Sequence, residues 1–364
     1  MPSSSPRATS TLLLNPAAGS SSPHSTGAAG QHHPQFPSYA PSRLHSNLLN
    51  PAVAQWVLMF FILALVIYFL HEQVSLAFQN EAAASIATAR MDQIPSNAAT
   101  TPRDRKDWVP WSLKLSAIAA DIDRVGSSTD LVMVGDSITA GWLEAGAPVL
   151  ASTPWMQALK PLHLAVGGDQ TSHILWRLHP SFGAQLSRVN PRARVVVLLA
   201  GTNNSRWGVP ALHTLWGLRA IVLQILAHFD PGVQILVLGV LPRADWIKPF
   251  RLNQSLNRQL HSALHNTAQG VFVYESEFTR RFMEGGSEVG YELEHLPRIN
   301  STLFHADKLH LSPAGYEVWA QVLEPIVKKH QAIAAAATAA SRPPSAAAPV
   351  PSSPPAASIS NRNP

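Results

Sequence analysis

Five short apolar runs constrain this chain more than any other feature. They are DLVMVG from Asp130, LHLAVG from Leu162, ARVVVLLAG from Ala193, VQILVLGV from Val233 and VFVYE from Val271. Apolar, often β-branched residues fill successive positions, so both faces require cover, as in parallel strands packed between helices. Longer helical patterns lie between and after them: PALHTLWGLRAIVLQILAHF from Pro210, RLNQSLNRQLHSALHNT after Phe250, and SPAGYEVWAQVLEPIVKKH from Ser312. Ser312 followed by Pro313 reads as a cap and a first-turn proline. This alternation predicts an α/β domain built on a parallel sheet of about five strands.

The predicted domain occupies residues 106–330. A different signal precedes it. PAVAQWVLMFFILALVIYFL, residues 51–70, has Gln55 as its only polar residue before His71 and Glu72. At about 1.5 Å per residue it matches a hydrocarbon layer of about 30 Å, with Trp56 and Tyr68 near the two interfaces. It has no polar face, unlike a surface helix of a soluble core, and a long segment precedes it, unlike a signal peptide. We read it as a transmembrane helix that anchors a single-pass membrane protein. Arg43 lies on its N-terminal flank, and Glu72 and Glu81 follow before Arg90. The positive-inside rule then puts the N-terminus in the cytoplasm and the catalytic domain in a lumen or outside.

Residues 1–47 are rich in Ser, Pro, Ala, Gly and His and show no period, so a disordered tail is expected. Residues 71–105 are expected to form a partly helical stalk, and 331–364 an Ala/Pro/Ser-rich disordered tail. The net charge of +5 is scattered, with no Lys/Arg stripe, which argues against a nucleic-acid partner. The absence of cysteine excludes a disulfide framework, a thiolate metal site and a cysteine nucleophile.

Active sites of such sheets gather at the carboxyl ends of the strands. Gly135-Asp136-Ser137 follows the first run, Gly167-Gly168-Asp169 the second, and Gly201-Thr202-Asn203 the third. Just before the last helix comes Asp307-Lys-Leu-His310. A serine hydroxyl needs a base, and His310 can serve Ser137. The imidazole needs an orienting acceptor, and Asp307 can supply it. An oxyanion needs donors, and the backbone N–H groups of Ser137 and Gly168 with the Asn203 amide can provide three. Each block alone also reads as a plain turn or strand exit. Their order at successive strand ends favours the catalytic reading.

These blocks resemble the SGNH/GDSL hydrolase superfamily. HLAVGGDQTSHILWRL, LLAGTNNS and ILVLGVLPR are similar to the catalytic subunits of intracellular platelet-activating-factor acetylhydrolase, over about residues 130–329. The resemblance implies a flavodoxin-like α/β/α sandwich, a Ser137–His310–Asp307 triad, and an oxyanion hole of Ser137, Gly168 and Asn203. It implies no metal or cofactor, and pairing into a homodimer. The chain departs from the superfamily pattern at His163 and Ala165, where the second block often has Asn and Gly. Asn204 stands where the third block often has Asp, as in the acetylhydrolase subunits. The insert EGGSEVGYELEHLPRINSTLF, residues 284–304, lies outside the resemblance and is expected to shape the pocket.

The expected activity is that of a membrane-anchored serine esterase removing short acyl groups, acetyl above all, from a lipid or a glycan. Acyl transfer to a glycan hydroxyl through the same site, and a catalytically silent binding domain, stay open as alternatives. Ile138 and Leu309 flank catalytic positions and are expected to narrow the acyl pocket. His261 and His265, four apart on a helix with no acid between them, read as a solvated face, and His305 is better explained beside a triad than as a zinc ligand. Trp176 and Trp216 read as core. Three glycosylation sequons begin at Asn203, Asn253 and Asn300. A buried, unmodified Asn203 and acceptors at Asn253 and Asn300 are expected.

Overall fold

Within each apolar run, alternate side chains turn to opposite sides, and each side meets its own helical layer. The computed structural model describes residues 51–286 and 298–340. The chain divides into two units, 1–63 and 64–364. Helix α1, Pro51–Thr88, runs from one into the other and is followed by α2, Val109–Val125. The predicted membrane segment lies in α1, whose apolar stretch is long enough to cross a membrane and has none of its side chains buried.

From here strands and helices alternate. β1, Leu131–Gly135, is followed by the short helices α3, Ser137–Ala140, α4, Ala147–Ser152, and α5, Pro154–Leu159. Next come β2, Leu162–Ala165, α6, Thr171–Leu178, β3, Val195–Leu199, α7, Thr202–Arg206, and α8, Ala211–His228. The chain continues with β4, Gln234–Leu238, α9, Ile247–Leu264, β5, Val271–Tyr274, α10, Ser276–Thr279, and α11, Pro313–Ala340.

All five strands are parallel, in the order β2-β1-β3-β4-β5, the flavodoxin-like arrangement. Val132, Val134, Val196, Leu198, Ile235 and Val237 pack on one face against α2, α6, α8 and α9. Leu131, Met133, Val195, Val197, Leu236 and Leu238 pack on the other against α4, α5, α10 and α11. Burial on both faces explains why these strands carry no polar alternation. Register then aligns the strand ends: Gly135 pairs with Ala165 on one side and Leu199 on the other. The loops after β1, β2 and β3 therefore leave the sheet side by side.

Three boundaries differ from the sequence reading. Residues 71–105 do not form a free stalk. Ala83 and Ile86 of α1 are buried in the first core, and the segment after Thr88 is bonded to the domain. Helix α9 begins at Ile247, ahead of Arg251, because Pro249 falls in its first turn, where a missing N–H costs nothing. Helix α11 passes through Pro325 and continues to Ala340, past the expected end of the domain. The predicted tail 1–47, the remainder of the C-terminal tail from 341, and residues 287–297 of the insert lie outside the described residues.

Candidate active site

The turn after β1 starts a helix at once. Asp136 is the N-cap of α3: its Oδ1 accepts the Ile138 N–H at 3.0 Å. This places Ser137 at the first helical position, half-buried at the strand end. Asp136 itself is fully buried, and loss of hydration pushes its carboxyl from 3.8 up to about 7.

The His310 loop reaches the same point from the other end of the domain. Between Asp307 and His310, Lys308 adopts the left-handed conformation at φ 57°, which folds the loop back on itself. Asp307 Oδ1 accepts the backbone N–H groups of Leu309 and His310, both at 3.0 Å. Its Oδ2 lies 2.6 Å from His310 Nδ1, and His310 Nε2 lies 2.9 Å from Ser137 Oγ. Partial burial pushes the Asp307 carboxyl upward. The hydrogen bond with the His310 ring and the two backbone donors outweigh it and hold the group below the usual carboxylate range. With the proton on Nδ1 directed at Asp307, Nε2 is free to accept from the serine hydroxyl.

The remaining predicted residues come from the next two strand ends. The Gly167 and Ser137 positions are adjacent: a Cβ on Gly167 would stand 3.8 Å from that of Ser137. Gly168 has φ 77°, a conformation that favours glycine. Gly201 has φ 126°, and a Cβ there would meet Leu256 at 2.9 Å, so this exit from β3 needs glycine twice over. Asn203 is partly exposed and donates from Nδ2 to Asp169 O at 3.0 Å, which joins the second block to the third. Among the described residues, the N–H groups of Ser137 and Gly168 have no backbone acceptor.

Behind these residues is a buried polar layer that sequence reasoning missed. Asp169 is fully buried. Its Oδ2 accepts from Arg177 Nε at 2.7 Å, and its Oδ1 accepts from Trp111 Nε1 at 2.8 Å. Arg177 also donates to the carbonyls of Leu164 and Gly135, tying β2 to β1 at the site. Asn204 accepts the Thr171 N–H and donates to Thr171 Oγ1, each at 3.0 Å. An amide can do both, whereas a carboxylate at this position could only accept. The Gly-Gly-Asp-Gln-Thr stretch held the signal for Asp169 and Thr171, but nothing marked their distant partners.

Several other residues fall elsewhere than expected. Ile138 is buried in the second core and is unavailable to shape an acyl pocket. Leu309 remains half-exposed beside His310. Asn203 is not fully buried. Asn253 is, with Nδ2 directed at Thr202 and Leu241, so it cannot accept a glycan, and Asn300 is the more exposed of the two expected acceptors. The His261 and His265 rings stack at 4.3 Å, and Trp176 and Trp216 pack against the first core.

The chain matches the family model described as GDSL-like Lipase/Acylhydrolase over residues 133–318, more than half of its length. That span contains Ser137, Gly168, Asn203, Asp307 and His310. The platelet-activating factor acetylhydrolase IB subunit alpha1 of Mus musculus is 31% identical over 201 residues, covering 53% of this chain and 73% of that protein. The Homo sapiens subunit alpha1 is 28% identical over 215 residues, covering 56% and 85%. A solved GDSL-like lipase from Bacteroides thetaiotaomicron aligns with a TM-score of 0.45 and 18% identity, covering 59% of this chain and 97% of that one. The chain belongs to the GDSL-like lipase/acylhydrolase family and is a hydrolase of ester bonds.

Proposed function

We propose that this protein is a membrane-anchored serine esterase that removes short acyl groups, chiefly acetyl, from a lipid or glycan through Ser137, His310 and Asp307. The observation that carries the reading is the relay of 2.9 Å from Ser137 Oγ to His310 Nε2 and 2.6 Å from His310 Nδ1 to Asp307 Oδ2. As Ser137 Oγ attacks the ester carbonyl, its proton passes to Nε2, and Asp307 stabilises the imidazolium. The N–H groups of Ser137 and Gly168 and the second amide hydrogen of Asn203 receive the oxyanion. His310 then protonates the leaving alcohol, and water releases the acid by the same steps in reverse. The acetyl preference draws on the acetylhydrolase relatives. The anchor draws on the apolar length of α1, with the N-terminus on the cytoplasmic side.

The test is hydrolysis of p-nitrophenyl acetate by the full chain in detergent, beside Ser137→Ala. The variant should lose about 10⁴-fold or more in kcat. Equal rates in the two proteins would sink the proposal.

A further inference from the structure

Arg105 lies outside the span that matches the family, on the segment between α1 and α2, yet its guanidinium reaches the oxyanion side of the site. That segment is strapped along the domain. Arg219 donates to Ala89 O at 2.9 Å, Thr171 Oγ1 donates to Ala99 O at 2.8 Å, and Arg103 N–H donates to Ser172 O at 3.1 Å. The strap ends with Arg105 Nη1 donating to Gly167 O at 3.0 Å and to Asp169 Oδ1 at 3.3 Å. Trp108 backs the guanidinium at 4.2 Å, and only about a fifth of the side chain is exposed.

The acceptor matters. Gly167 C=O and Gly168 N–H belong to one planar trans peptide, so they point in opposite directions. A donor fixed on that carbonyl sets the plane of the peptide and hence the aim of its N–H. It also polarises the amide, which makes the N–H a stronger donor. Glycine at 167 and 168 leaves this peptide otherwise free to rotate. The guanidinium rests directly over Gly168, where a Cβ would come within 3.0 Å of Nη1.

The local charge balance acts in the same direction. Burial pushes the Asp169 carboxyl upward, and the Arg177, Trp111 and Arg105 donors around it oppose that rise. Two guanidinium groups, Arg177 and Arg105, share this one carboxyl, so the three groups together leave net positive charge beside the place where negative charge develops.

We infer that Arg105 is a positioning residue of the esterase site, orienting and polarising the Gly167–Gly168 peptide from the strap that precedes the hydrolase core. The assignment rests on the esterase reading above. A peptide aimed for the transition state changes kcat and leaves ground-state binding alone. With the full chain in detergent and p-nitrophenyl acetate as substrate, Arg105→Ala should lower kcat by about 10- to 100-fold, a fraction of what removing a whole oxyanion donor costs. KM should stay within about twofold. Arg105→Lys, which keeps the charge and a donor, should recover most of the loss, and Arg105→Gln less.

Melting temperatures of all four proteins accompany the rates. Loss in Arg105→Ala with recovery in Arg105→Lys at similar melting temperatures supports the assignment. An Arg105→Ala kcat within about twofold of wild type overturns it. So does a Lys variant as slow as the Ala variant, or a loss that tracks unfolding. A wild-type chain with no Ser137-dependent turnover removes the esterase reading, and this assignment with it.

Discussion

Ser137, His310 and Asp307 are 173 and 170 positions apart in the two long steps of the chain, yet each was legible from its own neighbours. The nucleophile proposed at a strand exit needs a tight turn, and Gly135-Asp136-Ser137 states one. The base and orienter proposed three residues apart need a reversed loop, and Asp307-x-x-His310 forms one through Lys308. Asp136 is a different case. It reads as part of a signature, but its physical property is burial, which holds its carboxyl at about 7 against an ordinary 3.8. The sign follows from linkage. The folded state keeps a proton that the unfolded chain loses, so this group's contribution to stability is full below about 3.8, falls as pH climbs and is lost above about 7. Asp136→Asn keeps a side-chain acceptor for the Ile138 N–H and removes the titration. The melting temperature of Asp136→Asn relative to wild type should therefore rise between pH 4 and pH 8. Parallel melting curves across that range would show that burial of this carboxyl has no bearing on stability. Ile138 marks where local reading fails: adjacency to Ser137 suggested a pocket wall, while one step along α3 carries the side chain into the core.

The strands were legible because a sheet covered on both faces leaves nothing polar to interrupt its runs. The long helices were legible for the complementary reason, since several turns repeat an apolar stripe. The short helices α3, α4, α5, α7 and α10 span too few residues to show a period, and they were missed. So was the joint between α11 and α3. Tyr316, in the first turn of α11, buries its ring against Trp142 and donates from Oη to Ile138 O at 2.7 Å. Gly141 is small to admit that hydroxyl: a Cβ there would lie 2.0 Å from it. The bond pins the helix that follows the His310 loop onto the helix that begins with Ser137. Tyr316→Phe keeps the ring packing and leaves a buried carbonyl without its donor, so unfolding free energy should fall by about 1–3 kcal/mol. Urea titration followed by tryptophan fluorescence measures this, and an unchanged midpoint would show that the contact is dispensable.

The boundary of the hydrolase domain is where sequence reasoning erred most, and the reason is physical. Residues 71–105 offer few large apolar side chains, so they read as a stalk. They are nonetheless held by their carbonyl groups, and a carbonyl carries no side-chain signature. Ala89 O receives two bonds from Arg219, and Ala99 O receives the Thr171 hydroxyl. Arg219 is buried in α8 and also donates to Gln269 Oε1 at 3.3 Å. Burial lowers its pKa. The apolar span and the hydrolase domain therefore have different limits. A chain beginning at residue 71 lacks the span proposed for the membrane but keeps Ala83, Ile86 and the whole strap. It should be soluble and unfold at the same denaturant midpoint as the full chain in detergent. A chain beginning at residue 106, the start read from sequence, strips the acceptor from a buried guanidinium and uncovers apolar core. Loss of the carbonyl acceptor of this charged group costs about 1.5–3 kcal/mol, and loss of the Ala83 and Ile86 packing adds to it, together a large part of the stability of an ordinary domain. The shorter chain should therefore show a much lower midpoint, or fail to fold, with its activity reduced by the loss of Arg105 as well. Matching midpoints for the two truncations would mean that the strap lies on the domain without supporting it, and the domain would then start where the sequence first suggested.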